Sequence, residues 1–330
     1  MSRRAEILLA LADGALHSGA ALARQLGVSR AAVAKQLARL RALGLEIEAV
    51  PGRGYRLPVP CRPLAAEAIL RALGAAAASR WRRRIMVLER VDSTNRYLLA
   101  RPLREAPRVC LAEAQTAGRG RRGRGWAATP YHNVLFSMSC RLEAGAAYAS
   151  GLSLAAALAV ARALEDIGVR GVGLKWPNDV LWQERKLAGV LVEVQGEAGG
   201  PAHVVIGVGI NGYIGPAEAA RIDQPWVDLY HITGAIPDRN RLVARLIVHL
   251  ETVLARFAAG EGFAPFRAEW ESRHLYTGRP VRLVQDGTSI EGIVEGVDEN
   301  GALRLRSLAA ATAGGDVRRF FSGELSLRPA

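Results

Sequence analysis

The sequence predicts an α+β chain in three parts. Residues 1–60 form a short helical segment closed by a hairpin, 61–272 a longer stretch of mixed helices and strands, and 273–330 a small all-β tail. Three observations carry this division. Apolar residues in the first forty positions recur at helical spacing and stop at glycines. A run of Pro58, Pro60 and Pro63 then reads as a linker. From Pro280 onward the pattern turns to short alternating strands around Asp286-Gly287 and Asn300-Gly301. With 330 residues, half of them hydrophobic, the chain exceeds one domain and can bury sizeable cores.

In the first part, Ile7, Leu8 and Leu11 make one apolar stripe. His17-Ser18-Gly19 opens a second helix carrying Leu22 and Leu26, which stops at Gly27. Ser29 is placed to cap a third helix with Val33, Leu37, Leu40 and Leu43 on its inner face and Arg30, Lys35, Gln36 and Arg39 on the others; Gly44 ends it. Glu46 to Val50 and Tyr55 to Leu57 read as strands around Pro51-Gly52-Arg53-Gly54, with Arg53 at the tip. Helix, turn, helix and basic-tipped hairpin is the layout of a winged helix-turn-helix, whose third helix enters the major groove while the wing touches phosphate. Nine basic residues against four acidic ones favour DNA, with Ser29, Arg30, Lys35, Arg39 and Arg53 as the candidate contacts. A winged helix used for protein interaction is the alternative.

In the second part, Ile85 to Leu88, Val109 to Ala112 and Asn133 to Met138 read as strands, and Gly151 to Leu164 as a buried apolar helix. Gly118-Arg119-Gly120-Arg121-Arg122-Gly123-Arg124-Gly125-Trp126 lies between two of those strands. Guanidinium forks match phosphate oxygens, and glycines let backbone N–H groups approach an anion closely. A solvated basic loop and an Arg/Gly RNA-binding segment are the blander alternatives. Asp92-Ser93-Thr94-Asn95 is a capped helix start that can also hold a polar ligand head. Lys175-Trp176-Pro177-Asn178-Asp179 is a compact turn leading into the strand Val180 to Trp182. Across the next turn, strict alternation would put Lys186 on the face of Ala188, Val190, Val192 and Val194, an ammonium heading an apolar face and suited to a buried anion. In His203 to Asn211, Val204, Ile206, Val208 and Ile210 share one face, while Val205, Gly207, Gly209 and Asn211 share the other, where a flat ring would fit.

The net charge of +13 suits a polyanionic partner without choosing among nucleic acid, nucleotide and membrane surface. Cys61, Cys110 and Cys140 have neither metal-ligand nor disulfide spacing, which points to a reducing cytoplasm. The N-terminal apolar run is bracketed by Glu6 and Asp13, and the stretch from Gly151 ends at Arg162, so neither a signal peptide nor a membrane span is expected.

Taken together, the clusters 92–95, Gln115, 118–123, 175–179, 186–189 and 207–211 resemble, in order and spacing, the signature of biotin protein ligases. With the winged helix in front, the chain resembles the bifunctional bacterial type, both ligase and biotin operon repressor. The resemblance implies a biotin/lipoate ligase-like catalytic domain followed by an SH3-like β-barrel. It implies that biotin and ATP form biotinyl-5′-AMP, and that a lysine of the biotin carboxyl carrier protein of acetyl-CoA carboxylase then takes the biotinyl group. It further implies that Ser93, Thr94, Asn95, Gln115, Arg119, Gly120, Arg121, Lys186, Gly189 and Gly207 bind biotin. Arg119, Arg121, Lys186, Asn211 and Trp226 would border the adenylate, with Trp226 stacking on adenine and Lys186, Arg121 and Asp179 carrying the chemistry. Asp179 has two open roles, a share in Mg²⁺ or orientation of Lys175. Operator DNA and a ligand-promoted homodimer are the remaining partners implied, with no membrane. Gly125 and Gly212-Tyr213 depart from the family's usual residues. Two alternatives are a lipoate or octanoate ligase and a transcription factor that only senses its ligand.

Overall fold

The structure, a computed structural model, describes residues 3–101, 108–143, 145–196, 200–285, 288–308, 316–321 and 326–329. Asp286-Gly287 and most of the expected terminal segment Ser322 to Leu327 (residues 322–325) lie outside the described residues.

The N-terminal unit is a winged helix: α1 (Arg3–Ala10), α2 (Gly19–Leu26), α3 (Arg30–Ala42), β1 (Glu48–Val50) and β2 (Gly54–Arg56). Serine caps start two of the helices, Ser18 Oγ accepting from Ala21 N at 3.0 Å and Ser29 Oγ from Ala32 N at 3.1 Å. Ile7, Leu8, Leu11, Leu22, Val33, Leu37 and Leu40 form the core. Leu43, expected on the inner face, is instead the C-cap of α3 and only half-buried, because the helix ends at Ala42. In the wing, Gly54 has φ +130, and a Cβ there would stand 2.1 Å from His17 O, so only glycine lets the hairpin close on the segment before α2.

The central unit comprises α4 (Ala66–Leu73), α5 (Ala75–Trp81), β3 (Ile85–Val91), α6 (Thr94–Leu99), β4 (Arg108–Gln115), β5 (Val134–Leu142), α7 (Leu152–Asp166), β6 (Val172–Lys175), β7 (Asp179–Trp182), β8 (Arg185–Gln195), β9 (Ala202–Ile210), α8 (Pro216–Ala219), α9 (Leu229–Thr233), α10 (Arg239–Ala258) and α11 (Arg267–Arg273). Its sheet runs β3-β4-β5-β9-β8-β7-β6, with β3 and β4 parallel and the other pairs antiparallel. One face, bearing Val204, Ile206, Val208 and Ile210, is covered by α7 and α10. The other carries Gly207 and Gly209 and meets α6. Residues 146–166 are apolar and long enough to cross a membrane by composition, but 67% of that window is buried in this core.

The C-terminal unit is SH3-like: β10 (Pro280–Gln285), β11 (Thr288–Val297), β12 (Leu303–Ser307), β13 (Val317–Phe320) and β14 (Ser326–Pro329) form an antiparallel sheet in the order β13-β12-β11-β10-β14. Trp176 Nε1 donates to Gly301 O at 3.0 Å, joining this unit to the turn before β7.

Candidate active site and DNA-reading helix

The glycine face of β8 and β9 is the floor of a cavity of about 800 Å³. Gly189 pairs with Gly209, and Leu191 with Gly207. The space above these glycines is used: a Cβ on Gly209 would lie 2.4 Å from Trp126 Cε2, and one on Gly207 2.4 Å from Asn95 Oδ1. Side chains would lift the indole and the amide off the sheet, which is the physical reason for glycine here.

The polar end of the cavity is built by α6. Ser93 caps it, accepting from Arg96 N at 3.4 Å. Gln115, at the end of β4, accepts from Thr94 N at 2.7 Å and Thr94 Oγ1 at 3.0 Å. Ser137 Oγ lies 2.7 Å from Thr94 Oγ1 and 2.6 Å from Asn95 Oδ1. Asn95 Nδ2 donates to Glu193 Oε2 at 2.7 Å, and Glu193 Oε1 accepts from Arg119 Nη2 at 3.2 Å. One hydrogen-bonded network therefore links helix start, sheet and arginine loop.

At the charged end, Lys186 Nζ stands 2.7 Å from Asp179 Oδ1, both side chains largely shielded from water. Burial depresses the pKa of Arg121, opposed by the nearby Asp179 carboxylate, with Arg122 depressing it further. The loop folds back over the cavity: Gly120 N donates to Arg124 O at 2.7 Å and Trp126 N to Gly118 O at 3.0 Å. Arg122 at φ +56 and Gly123 at φ +71 turn it. Lys186 Nζ lies 5.6 Å from the Trp126 ring centroid, completing a corner of cation, carboxylate and indole.

The expectation that Lys186 shares a face with Ala188 and Val190 is corrected. Between Val180↔Ala188 and Leu181↔Lys186 the pairing slips by one residue, so Leu187 is an extra residue on β8. Lys186 consequently points with Gly189, whose Cβ position is 3.2 Å from Lys186 Cε, while Leu187, Ala188 and Val190 enter the core. A bulge beside a site re-aims a side chain in this way, and strict alternation cannot register it.

Ser93, Thr94, Asn95, Gln115, Arg119, Gly120, Arg121, Asp179, Lys186, Gly189, Gly207, Asn211 and Trp226 all line this one cavity. Asn211 does so as a clamp: its Nδ2 donates to Lys186 O at 3.2 Å and Val227 O at 3.0 Å, tying β8 to the segment carrying Trp226. Sequence reasoning misses Tyr276, which lines the cavity, and Ser137 and Glu193, which hold Asn95; alternation marks Ser137 and Glu193 only as polar residues within strands. Among the described residues no cluster of three His, Cys, Asp or Glu side chains could hold a metal. On α3 and the wing, Arg30, Lys35, Arg39 and Arg53 are exposed, and Ser29 is the helix cap.

A Biotin/lipoate A/B protein ligase family model matches residues 87–211, an HTH domain model residues 3–56, and a Biotin protein ligase C terminal domain model residues 276–328. The chain is 41% identical over 98% of its length to the bifunctional ligase/repressor BirA of Escherichia coli K12, covering 97% of that protein. The chain belongs to the biotin protein ligase family. It is also 39% identical, over 74% of its length and 91% of the relative's, to the biotin–[acetyl-CoA-carboxylase] ligase of Mycobacterium tuberculosis. The Aquifex aeolicus biotin protein ligase solved with biotin and ATP superposes with a TM-score of 0.62 at 30% identity, over 75% of this chain and all of that one (100%).

Proposed function

We infer that the protein is an ATP-dependent biotin protein ligase that is also a biotin operon repressor. It joins biotin to ATP as biotinyl-5′-AMP and transfers the biotinyl group to a lysine of the biotin carboxyl carrier protein of acetyl-CoA carboxylase. The observation that carries this reading is the convergence of Lys186, Arg121 and Asp179 at one end of a glycine-floored cavity whose other end is lined by hydroxyls and amides.

The biotin carboxylate attacks the α-phosphorus of ATP and pyrophosphate leaves; the carrier amine then attacks the anhydride carbonyl and AMP leaves. Neither step needs a covalent nucleophile from the protein. Both need mutually repelling anions gathered and developing negative charge stabilised, which is work for fixed cations and donors. Ser93, Thr94, Asn95 and Gln115 hold the polar parts of biotin, and Gly189 and Gly207, by letting Trp126 and Asn95 seat close to the sheet, leave room for its flat ring system. Arg119, Gly120 and Arg121 close over the adenylate, Trp226 stacks on adenine, and Asn211 keeps Trp226 beside Lys186. Lys186 leaves Asp179 for the bridging oxygens once substrate brings a stronger negative charge. Asp179, so released, is the carboxylate that would share a Mg²⁺ with the phosphates, the usual division of ligands for that ion. Mg²⁺ bound there would neutralise phosphate charge.

Through Arg30, Lys35, Arg39 and Arg53 the winged helix binds operator DNA, and closure of the arginine loop over biotinyl-AMP promotes the homodimer that a palindrome requires. Three buried free cysteines suit the reducing cytoplasm where we place the protein. Incubation with ATP, radiolabelled biotin and a carrier domain tests the ligase. Label is expected on the carrier lysine; normal biotin binding without label would leave a ligand-sensing transcription factor.

A further inference from the structure

The winged helix and the catalytic unit share a residue. Tyr131 belongs to the catalytic chain, five positions beyond Trp126, yet its ring completes the winged-helix core with Leu8, Leu11, Leu37 and Cys61 and is only 3% exposed. It sits at φ +63, in the left-handed region where a tyrosine is strained. Its N–H donates to Glu113 O at 3.1 Å and its hydroxyl to Glu89 Oε1 at 2.7 Å. The other oxygen of Glu89 pairs with Arg4 of α1. On either side, Pro130 packs at 3.6 Å from the Cβ position of Gly44, at the end of α3, and His132 Nε2 lies 3.1 Å from Val59 O in the linker.

Three separated contacts fix the orientation of one rigid body on another. Here they fall at α1, at the end of α3 and at the linker, with the Tyr131 ring at their centre. A single chain connection, even one stiffened by prolines, would leave the recognition helix free to swivel about it. We propose that Tyr131, braced by Glu89 and Arg4, is a positioning residue that sets the angle of the DNA-reading helix and thereby the half-site separation the dimer accepts. This rests on the operator-binding reading above. Buried at the seam, the ring acts through geometry rather than as a ligand or DNA contact.

The consequence is discrimination by spacing. Two rigidly held recognition helices accept half-sites one fixed distance apart, whereas loosely tethered ones tolerate insertions at the centre of a palindrome. The test uses the full-length protein with biotin and ATP. A palindromic duplex is first selected by the wild-type protein from random DNA, then its half-sites are moved apart in single base-pair steps through a full turn of about 10 base pairs. Tyr131→Gly suits the local backbone and removes the ring; Tyr131→Phe keeps the ring and loses the bond to Glu89.

The wild-type protein should lose at least about tenfold in affinity within a few steps, tenfold being 1.4 kcal/mol. Tyr131→Gly should flatten the profile to within about threefold while carrier biotinylation stays unchanged, and Tyr131→Phe, which loses only the brace, should broaden it partway. Glu89→Gln, which leaves the winged-helix core intact, should broaden the profile partway, so the outcome does not depend on Tyr131→Gly folding well. A profile as narrow in Tyr131→Gly and Glu89→Gln as in the wild type would overturn the proposal, as would a wild-type profile that is already flat. Failure of the wild-type protein to select any duplex would instead overturn operator binding, and the spacing role with it.

Discussion

Lys186 shows what a single extra residue does. Because Leu187 bulges, an ammonium that strict alternation would bury in the core emerges beside Gly189 and against Asp179. Replacing it with glutamine removes the charge that both half-reactions use. Lys186→Gln is expected to slow adenylate formation and transfer from preformed biotinyl-AMP by about 10²–10³-fold each, the range for losing one preorganised donor to developing charge. Stopped-flow and single-turnover rates check this; a loss confined to one half-reaction would contradict it. The glycine floor is tested by size. Gly209→Ala sets a methyl 2.4 Å from Trp126 Cε2 in a strand whose backbone tolerates it, so the indole must lift. Biotin binding is expected to weaken by about 1–3 kcal/mol, the usual consequence of overpacking, as titration calorimetry would show. The residue types of the site can be read from the sequence because the chemistry demands them. The aim of Lys186, the seat of Trp126 on two glycines and the pairing of Asn95 with Glu193 cannot, since each depends on strand register.

At the scale of elements, α3 separates folding from recognition. Ser29 caps it, its Oγ accepting from Ala32 N, so Ser29→Ala should destabilise the winged helix by about 1 kcal/mol in thermal unfolding. Lys35→Glu, on the exposed side, should leave stability alone and weaken operator binding. A lysine that neutralises one phosphate adds about 0.9 to the steepness of log affinity against log salt, so the variant's plot should be shallower by about that amount. Unchanged affinity and slope would move α3 out of the groove. The helices and caps of this unit are legible because 3.6-residue periodicity and serine caps are local signals. In the C-terminal sheet, β10, β11 and β12 can be read from alternation, but β13 (Val317–Phe320) and β14 (Ser326–Pro329) do not stand out as strands. Val317-Arg318-Arg319-Phe320 carries two adjacent arginines that break the apolar alternation, and its pairing with β12 is set by the fold.

The whole molecule is three units, and the contacts that fasten them are not visible as motifs. One is at Tyr131. Another buried residue that no motif marks is His274, between α11 and β10, stacked on Trp270 at 4.6 Å with its Nδ1 3.0 Å from Thr277 Oγ1. Burial pushes its pKa down to about 3 from an ordinary 6.5. The folded chain therefore keeps His274 neutral where the unfolded chain takes up a proton. Stability is full above pH 6.5 and falls as pH drops towards 3, by about 2 kcal/mol at pH 5 from this group. His132 and His203, also lowered by burial, act in the same direction. Denaturant unfolding at pH 7.5 and 5 should show the loss, and His274→Phe, which keeps the stack, should lessen it; an identical pH dependence in the variant would contradict this. Long-range docking of this kind joins residues more than a hundred positions apart, as Trp176 with Gly301, and no local pattern announces it.

The most direct measurement is a crystal structure of the protein with biotinyl-5′-AMP. Lys186 is expected to have left Asp179 for the oxygens that bridge carbonyl and phosphate, with Arg121 against the same phosphate and Trp126 over the biotin rings. Lys186 still paired with Asp179, and Arg121 turned towards solvent around a fully occupied site, would contradict that assignment.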